Sequence, residues 1–164
     1  MEALCGEGAQ TRVLASRDCV ELRTRRRVQF IDLTDLVGER VRRSGVALGL
    51  VSIQSLHTTA AVIVNEDEPM LLLDLEETLE RLAPQGCRYA HDDPERRRGA
   101  PKDEPRNGDA HCRAAMLGSG ATVHVVGRRL GLGTWQRIFL VELDGPRPRS
   151  VSVVVMGIAD DRDP

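Results

Sequence analysis

Apolar and polar positions change their period several times along the chain, and each change marks an element. In segments 11–22 and 26–33 β-branched residues alternate in part with charged ones, which predicts two strands paired antiparallel across the charged turn between them. In "TDLVGERVRRSG" the period lengthens. Leu33, Leu36, Val37 and Val41 share one helical face, with Thr34 as the cap and Gly45 as the stop. "VALGLVSIQSLHTTAAVIVNEDEP" then reads as two strands, about 46–56 and 59–65, apolar enough to be buried on both faces in places. Pro69 suits the first turn of the next helix, "MLLLDLEETLERLAP", which Pro84 closes; its acidic residues lie mostly off the leucine stripe.

Residues 84–109 have no apolar period and are rich in Pro, Gly, Asp and Arg, the pattern of a long functional or disordered loop. A short helix, "DAHCRAAML", follows and ends at Gly118. Strands at 121–127, 134–143 and 149–158 complete the pattern, with turns at Gly127–Gly133 and "DGPRPR". Residues 1–10 read as a flexible leader, 159–164 as a polar tail, and 11–158 as one domain. The sum is about seven strands and two or three helices, with strands mostly adjacent in sequence. That predicts an α+β fold with a mostly antiparallel sheet.

Composition narrows the core and the partners. Among 164 residues there are two Phe, one Tyr and one Trp, so Val, Leu, Ile and Ala must fill the interior. A chain of this length buries roughly two thirds of its unfolded surface without help from a disulfide or structural metal. The formal net charge of −2 carries no nucleic-acid signature. Basic runs at Arg23–Arg27 and Arg96–Lys102 read as solvated strand ends and loop, or as anion-capturing patches. Cys5, Cys19, Cys87 and Cys112 form no C-x-x-C pair, and no apolar run approaches a membrane span. Free thiols in a reducing cytoplasm are expected, with no membrane partner.

Four histidines are the first candidates for chemistry. His57 in "SLHTTAA", His91 in "YAHDD" and His111 in "DAHCRA" fall at the ends of elements, where a scaffold delivers functional groups. His124 alternates with Val123 and Val125, so it is read as a strand-face residue. If the first three converge they could hold a divalent metal, Zn or Mg, with positions open to substrate; each is otherwise a structural histidine. A helix N-terminus disfavours imidazolium, so a first-turn position is expected to favour a His111 ring able to ligate. "NEDEP" supplies Asn65, Glu66, Asp67 and Glu68 after a strand, where they serve as a helix cap and first-turn acids or as functional carboxylates. No nucleophile elbow, phosphate-binding loop or dinucleotide fingerprint occurs. In "GLGTWQR" the glycines allow a tight turn or a close approach to a ligand, and Trp135 either plugs the sheet or a subunit interface or stacks on a planar heterocycle such as a pyrimidine.

Taken together, "LHTTAAVIVNED", "YAHDD", "AHCRAAMLG" and "GLGTWQRIFLVELDGPRPRSVSV" closely resemble the YjbQ-like family across about residues 12–158. The resemblance implies a compact α+β subunit packed as a homotrimer with sites near subunit boundaries. It also implies a secondary thiamine-phosphate synthase activity, joining an aminopyrimidine-methyl diphosphate to a thiazole phosphate with release of diphosphate. On this chain the family's motif histidines are His57, His91 and His111, assigned to metal or phosphate contacts and to catalysis. Its Asn-Glu pair is Asn65 and Glu66, and its G-T-W-Q run is Gly133, Thr134, Trp135 and Gln136. Arg137 or Arg147 is expected on the phosphate, from residue type. The loop between His91 and His111 is more basic and Pro-rich than the family pattern. Two further functions fit the same residues: a metal-dependent hydrolase with Glu66 as general base, and a non-catalytic trimeric protein that binds a phosphorylated metabolite.

Overall fold

A computed structural model describes residues 12–97, 101 and 105–159; the expected leader and all but the first residue of the expected tail lie outside them. The elements in chain order are β1 (Val13–Arg23), β2 (Gln29–Asp32), α1 (Thr34–Ser44), β3 (Leu48–Ser55), β4 (Ala60–Glu66) and α2 (Pro69–Leu82). After a 3-10 turn at Ala90–Asp92 come α3 (Gly108–Leu117), β5 (Gly120–Val126), β6 (Arg129–Leu130), β7 (Gln136–Glu142) and β8 (Pro148–Ile158).

Five strands form one sheet in the order β1-β8-β3-β5-β6, and three form another in the order β2-β7-β4. Every pairing is antiparallel. The fold is thus a single α+β domain, as the periodicity predicts. One expected pairing does not form. β1 and β2 flank the charged turn but go to different sheets: β1 runs beside β8, with Val20 opposite Val151, and β2 runs beside β7. Burial decides this, because the apolar alternation of β8 offers Val151, Val153 and Val155 to the core while β2 spans only four residues.

The inner face of the larger sheet meets α1 and the smaller sheet in an aliphatic core. It holds Val37 and Val41 from α1, Val51 and Ile53 from β3, and Ile138 and Leu140 from β7, all fully buried. α2 and α3 cover the other face of the smaller sheet, where Leu79, Ala110 and Ala114 pack on Phe139, Val141 and Leu143. β7 is therefore buried on both faces. The helix termini follow the expected chemistry in part. Gly45 closes α1 with φ 73°, and Pro69 opens α2, but Glu68 is the residue that caps it, accepting from the amides of Met70 and Leu71. Thr34 does not cap α1; its hydroxyl instead accepts from the Ile138 amide inside the core.

Candidate functional site

Polar groups collect at the end of β7 where it leaves the smaller sheet. Glu142 is completely buried, and Arg149 of β8 holds it, Nε donating to Oε2 at 2.7 Å. Arg149 also donates to Thr59 Oγ1 at 3.0 Å, and Thr24 donates to Glu142 at 2.9 Å. Burial pushes the Glu142 carboxyl up, but the Arg149 guanidinium, the Asp144 amide and the Thr24 hydroxyl outweigh it and hold the group below its ordinary value. Two residues on, Asp144 accepts from Asn107 Nδ2 and from Arg147, each at 2.8 Å, and Arg27 bridges Asp144 to Asp109. Arg113 of α3, also buried, donates to the Ala83 carbonyl at the end of α2 and pairs with Glu80. Buried ion pairs of this kind fix relative positions more than they add stability. Here they fix α2, α3 and the 143–149 loop to one another.

On that base the first turn of α3 is set against the 3-10 turn. Asp92 Oδ1 accepts from the amides of Asn107 and Gly108 at 3.1 and 3.0 Å, capping α3 from outside the helix. The same oxygen lies 3.3 Å from His91 Nδ1. A Cβ on Gly108 would sit 2.5 Å from Tyr89 Cβ, so this close approach requires glycine. The result brings His91 and His111 together, with ring centroids 4.5 Å apart and planes tilted by 40°. Beside them a cleft of about 480 Å3 is lined by Tyr89, Arg88, Arg106, Asp92, Asp93 and Asp109, among others.

The other expected residues lie elsewhere. His57, in the turn between β3 and β4, is at the same end of β7, since Ala60 stands opposite Glu142. Its Nε2 accepts from the Ser150 amide at 2.7 Å. Burial, then the Arg149 charge, push its pKa below the ordinary value. Asn65 and Glu66 stand opposite Arg137 and Gln136 at the far end of β7. Trp135 is in the turn just before that strand, not in the strand, and is 71% exposed. Gln136 Oε1 accepts from the Gly133 amide at 2.8 Å and so closes the Gly-Thr-Trp-Gln turn. Thr134 and Arg137 are exposed beside it. Across β7, roughly 20 Å at the rise of an extended strand, the two sets of residues are separated within one chain.

A metal held by three imidazoles does not fit one chain. Among the described residues no three His, Cys, Asp or Glu side chains are grouped to hold a metal ion. The Nε2 lone pair of His57 is engaged by an amide, and His91 with His111 supply two ligands where catalytic zinc sites take three from the protein. The sequence reading missed the buried charges Arg113, Glu142, Asp144 and Arg149 as the base of the site. Charged residues inside apolar runs, as in "FLVELDG", were the available signal.

A model of the family described as "UPF0047 protein YjbQ-like" matches residues 18–158. The chain belongs to the YjbQ-like family. A UPF0047 protein of Methanothermobacter thermautotrophicus is 41% identical over 136 residues, 83% of this chain and 88% of the relative. The UPF0047 protein YugU of Bacillus subtilis is 30% identical over 139 residues, 84% of this chain and 97% of the relative. Among solved structures, a YbjQ-like protein of unknown function from Sulfolobus solfataricus P2 superposes with a TM-score of 0.80 at 32% identity, covering 89% of this chain and 99% of that one. The YjbQ-like fold therefore accounts for nearly all of the chain. No helix among the described residues is long and apolar enough to cross a membrane.

Proposed function

We propose that the chain is one subunit of a homotrimer that joins an aminopyrimidine-methyl diphosphate to a thiazole phosphate and releases diphosphate, as a secondary thiamine-phosphate synthase does. The observation that carries this reading is the His91–His111 pair, 4.5 Å between centroids, set beside a polar cleft with Arg88 and Arg106 on its wall. In the reaction the thiazole nitrogen lone pair forms the new bond to the pyrimidine-bearing methylene. The carbon–oxygen bond breaks with its electrons going to diphosphate. The pyrimidine ring stabilises positive charge on the methylene, so the protein's task is to stabilise the departing anion and exclude water. Two imidazoles and two guanidiniums are suited to it, Arg offering paired donors to phosphate oxygens.

Trp135 supplies a flat face for the pyrimidine, while the amide nitrogens of Gln136 and Asn65, whose oxygens are taken by the Gly133 and Glu66 amides, donate to its ring nitrogens and the Glu66 carboxylate accepts from its amine. Thr134 and Arg137 flank them. Because these residues stand at the opposite end of β7 from His91 and His111, they serve a site with the histidines of a second subunit. A head-to-tail contact of that kind closes into a ring, which a trimer satisfies. Trp135 is 71% exposed in the single chain, which leaves its ring face available to a neighbouring subunit or a substrate.

The test is direct. Purified protein is supplied with the two substrates, and thiamine phosphate is measured alongside the His111→Ala variant. Product from the unaltered protein and at least a hundredfold less from the variant, the scale of a lost transition-state donor, support the reading. Equal rates, or no product from the unaltered protein, refute it.

A further inference from the structure

His57 is built to do something other than bind metal. The turn that carries it is fixed by Ser55, whose hydroxyl accepts from the His57 amide and donates to the His57 carbonyl, both at 3.3 Å. The ring is fixed by the Ser150 amide, 2.7 Å from Nε2. A backbone amide can only donate, so Nε2 must keep its lone pair in the plane of that bond. In the neutral ring the remaining proton is then on Nδ1. Coordination through Nε2 would break the bond to Ser150, and coordination through Nδ1 would require an imidazolate.

We propose that His57 is a hydrogen-bond donor to a ligand oxyanion, presenting Nδ1–H to a phosphate or carboxylate oxygen, and is not a metal ligand. The ring is half-buried, so one edge reaches solvent, and Nδ1 has no hydrogen-bond partner among the described residues. The charged groups facing it are Arg149 from β8, Glu142 from β7 and Glu21 from β1. Neither carboxylate serves as its acceptor: Glu142 is taken up by Arg149 and Thr24, and Glu21 accepts from the Ser150 hydroxyl. Burial and the Arg149 charge favour the neutral ring, which keeps the Ser150 bond intact near pH 7. A neutral ring with its remaining N–H on Nδ1 suits an oxygen acceptor, and with Nε2 taken by the Ser150 amide it offers no free lone pair to a cation.

The proposal deepens the reading above by assigning His57 a contact to the substrate phosphate, but it does not depend on turnover. Nitrogen-15 spectra of the four imidazoles report tautomer and ligation separately. At neutral pH the His57 resonances are expected to be those of the Nδ1–H form. One equivalent of Zn2+ should leave them in place, and inorganic phosphate should move the Nδ1 signal. Two isosteric variants separate the ring's two faces. His57→Asn keeps an N–H near the Nδ1 position, whereas His57→Gln keeps an acceptor for Ser150 and loses that donor. Phosphate affinity should fall by less than about threefold in the first and by tenfold or more in the second, the size of a hydrogen bond to a charged group. An Nε2–H tautomer, displacement of the His57 signals by Zn2+, or a Nδ1 signal indifferent to phosphate overturns the proposal. If a variant does not fold, as read by its melting curve, the spectra of the unaltered protein decide alone. Lack of thiamine phosphate formation would refute the synthase reading and leave these measurements standing.

Discussion

Replacing Arg149 with Ala is the sharpest perturbation of the base on which the site rests. Arg149 is 3% exposed and Glu142 is 0% exposed, so removing the guanidinium leaves a carboxylate in the interior. Three partners would remain for Glu142: the Thr24 hydroxyl and the amides of Leu143 and Asp144, at 2.9, 2.8 and 2.8 Å. They reduce the penalty without cancelling the charge. Breaking one half of a buried pair costs about 3–5 kcal/mol, and the lost packing of the Arg stem adds to it. For a chain of this size 1 kcal/mol corresponds to roughly 2–4 °C, so the melting temperature should drop by about 10 °C. The double variant Arg149→Met with Glu142→Gln removes both charges and should regain more than half of that loss. Acid sensitivity should change as well. The Glu142 carboxyl is held below its ordinary value, so it contributes stability above the unfolded carboxylate range that is lost as pH falls through its folded pKa. Without Arg149 the depression is lost, and the acid-unfolding midpoint should move to higher pH. Thermal scans across pH measure both effects. Arg149→Ala within about 1 kcal/mol of the unaltered protein would refute the reasoning, because it would mean that Glu142 is not desolvated as the fold requires.

His57 sets a second pH dependence of opposite origin. Its folded pKa is depressed, so below the unfolded value the unfolded chain binds more protons and stability falls as pH drops through the sixes, by at most about 1.4 kcal/mol per pH unit; His57→Asn should flatten that slope in urea titrations, and an unchanged slope contradicts the assignment. Gly108→Ala forces a Cβ to 2.5 Å from Tyr89 and should cost about 1–3 kcal/mol while displacing the turn that carries His91, seen as a lower melting temperature and altered His91 and His111 signals. Trp135→Ala should leave the unfolding free energy of a dilute monomer within about 0.5 kcal/mol, since the side chain is 71% exposed. As the sole tryptophan, Trp135 should emit as an exposed indole in the monomer and shift to the blue as subunits associate; emission independent of concentration across the association range counts against a place for it at a boundary.

Local features of the fold were legible in the sequence and distant ones were not. The helical period of "TDLVGERVRRSG", its Gly45 stop and the Pro69 start of α2 rest on contacts a few residues apart, and they stand as read. The partner of β1 is β8, more than a hundred residues away, and no local pattern specifies that Val13 stands opposite Ile158. Short strands such as β6, two residues within the Gly-rich turn, leave no periodicity at all. The site divides in the same way. His91 and His111 could be picked out as groups at element ends. Their meeting depends on Asp92 capping a helix 16 residues further on, which is a tertiary bond. The His57 ring bond spans 93 residues, so its locked tautomer could not be read from "SLHTTAA".

The central claim is that the Trp135 end of one subunit and the His91–His111 end of another complete a single site. Subunit mixing tests it most directly. Trp135→Ala and His111→Ala proteins are each assayed alone for thiamine phosphate formation, then unfolded together in equal amounts, refolded and assayed again. In a ring of head-to-tail contacts, random mixing leaves about a quarter of the boundaries with both native residues, so two inactive proteins should together recover about a quarter of the unaltered activity. Mixed assemblies as inactive as their parents, beside an active unaltered protein, would contradict it.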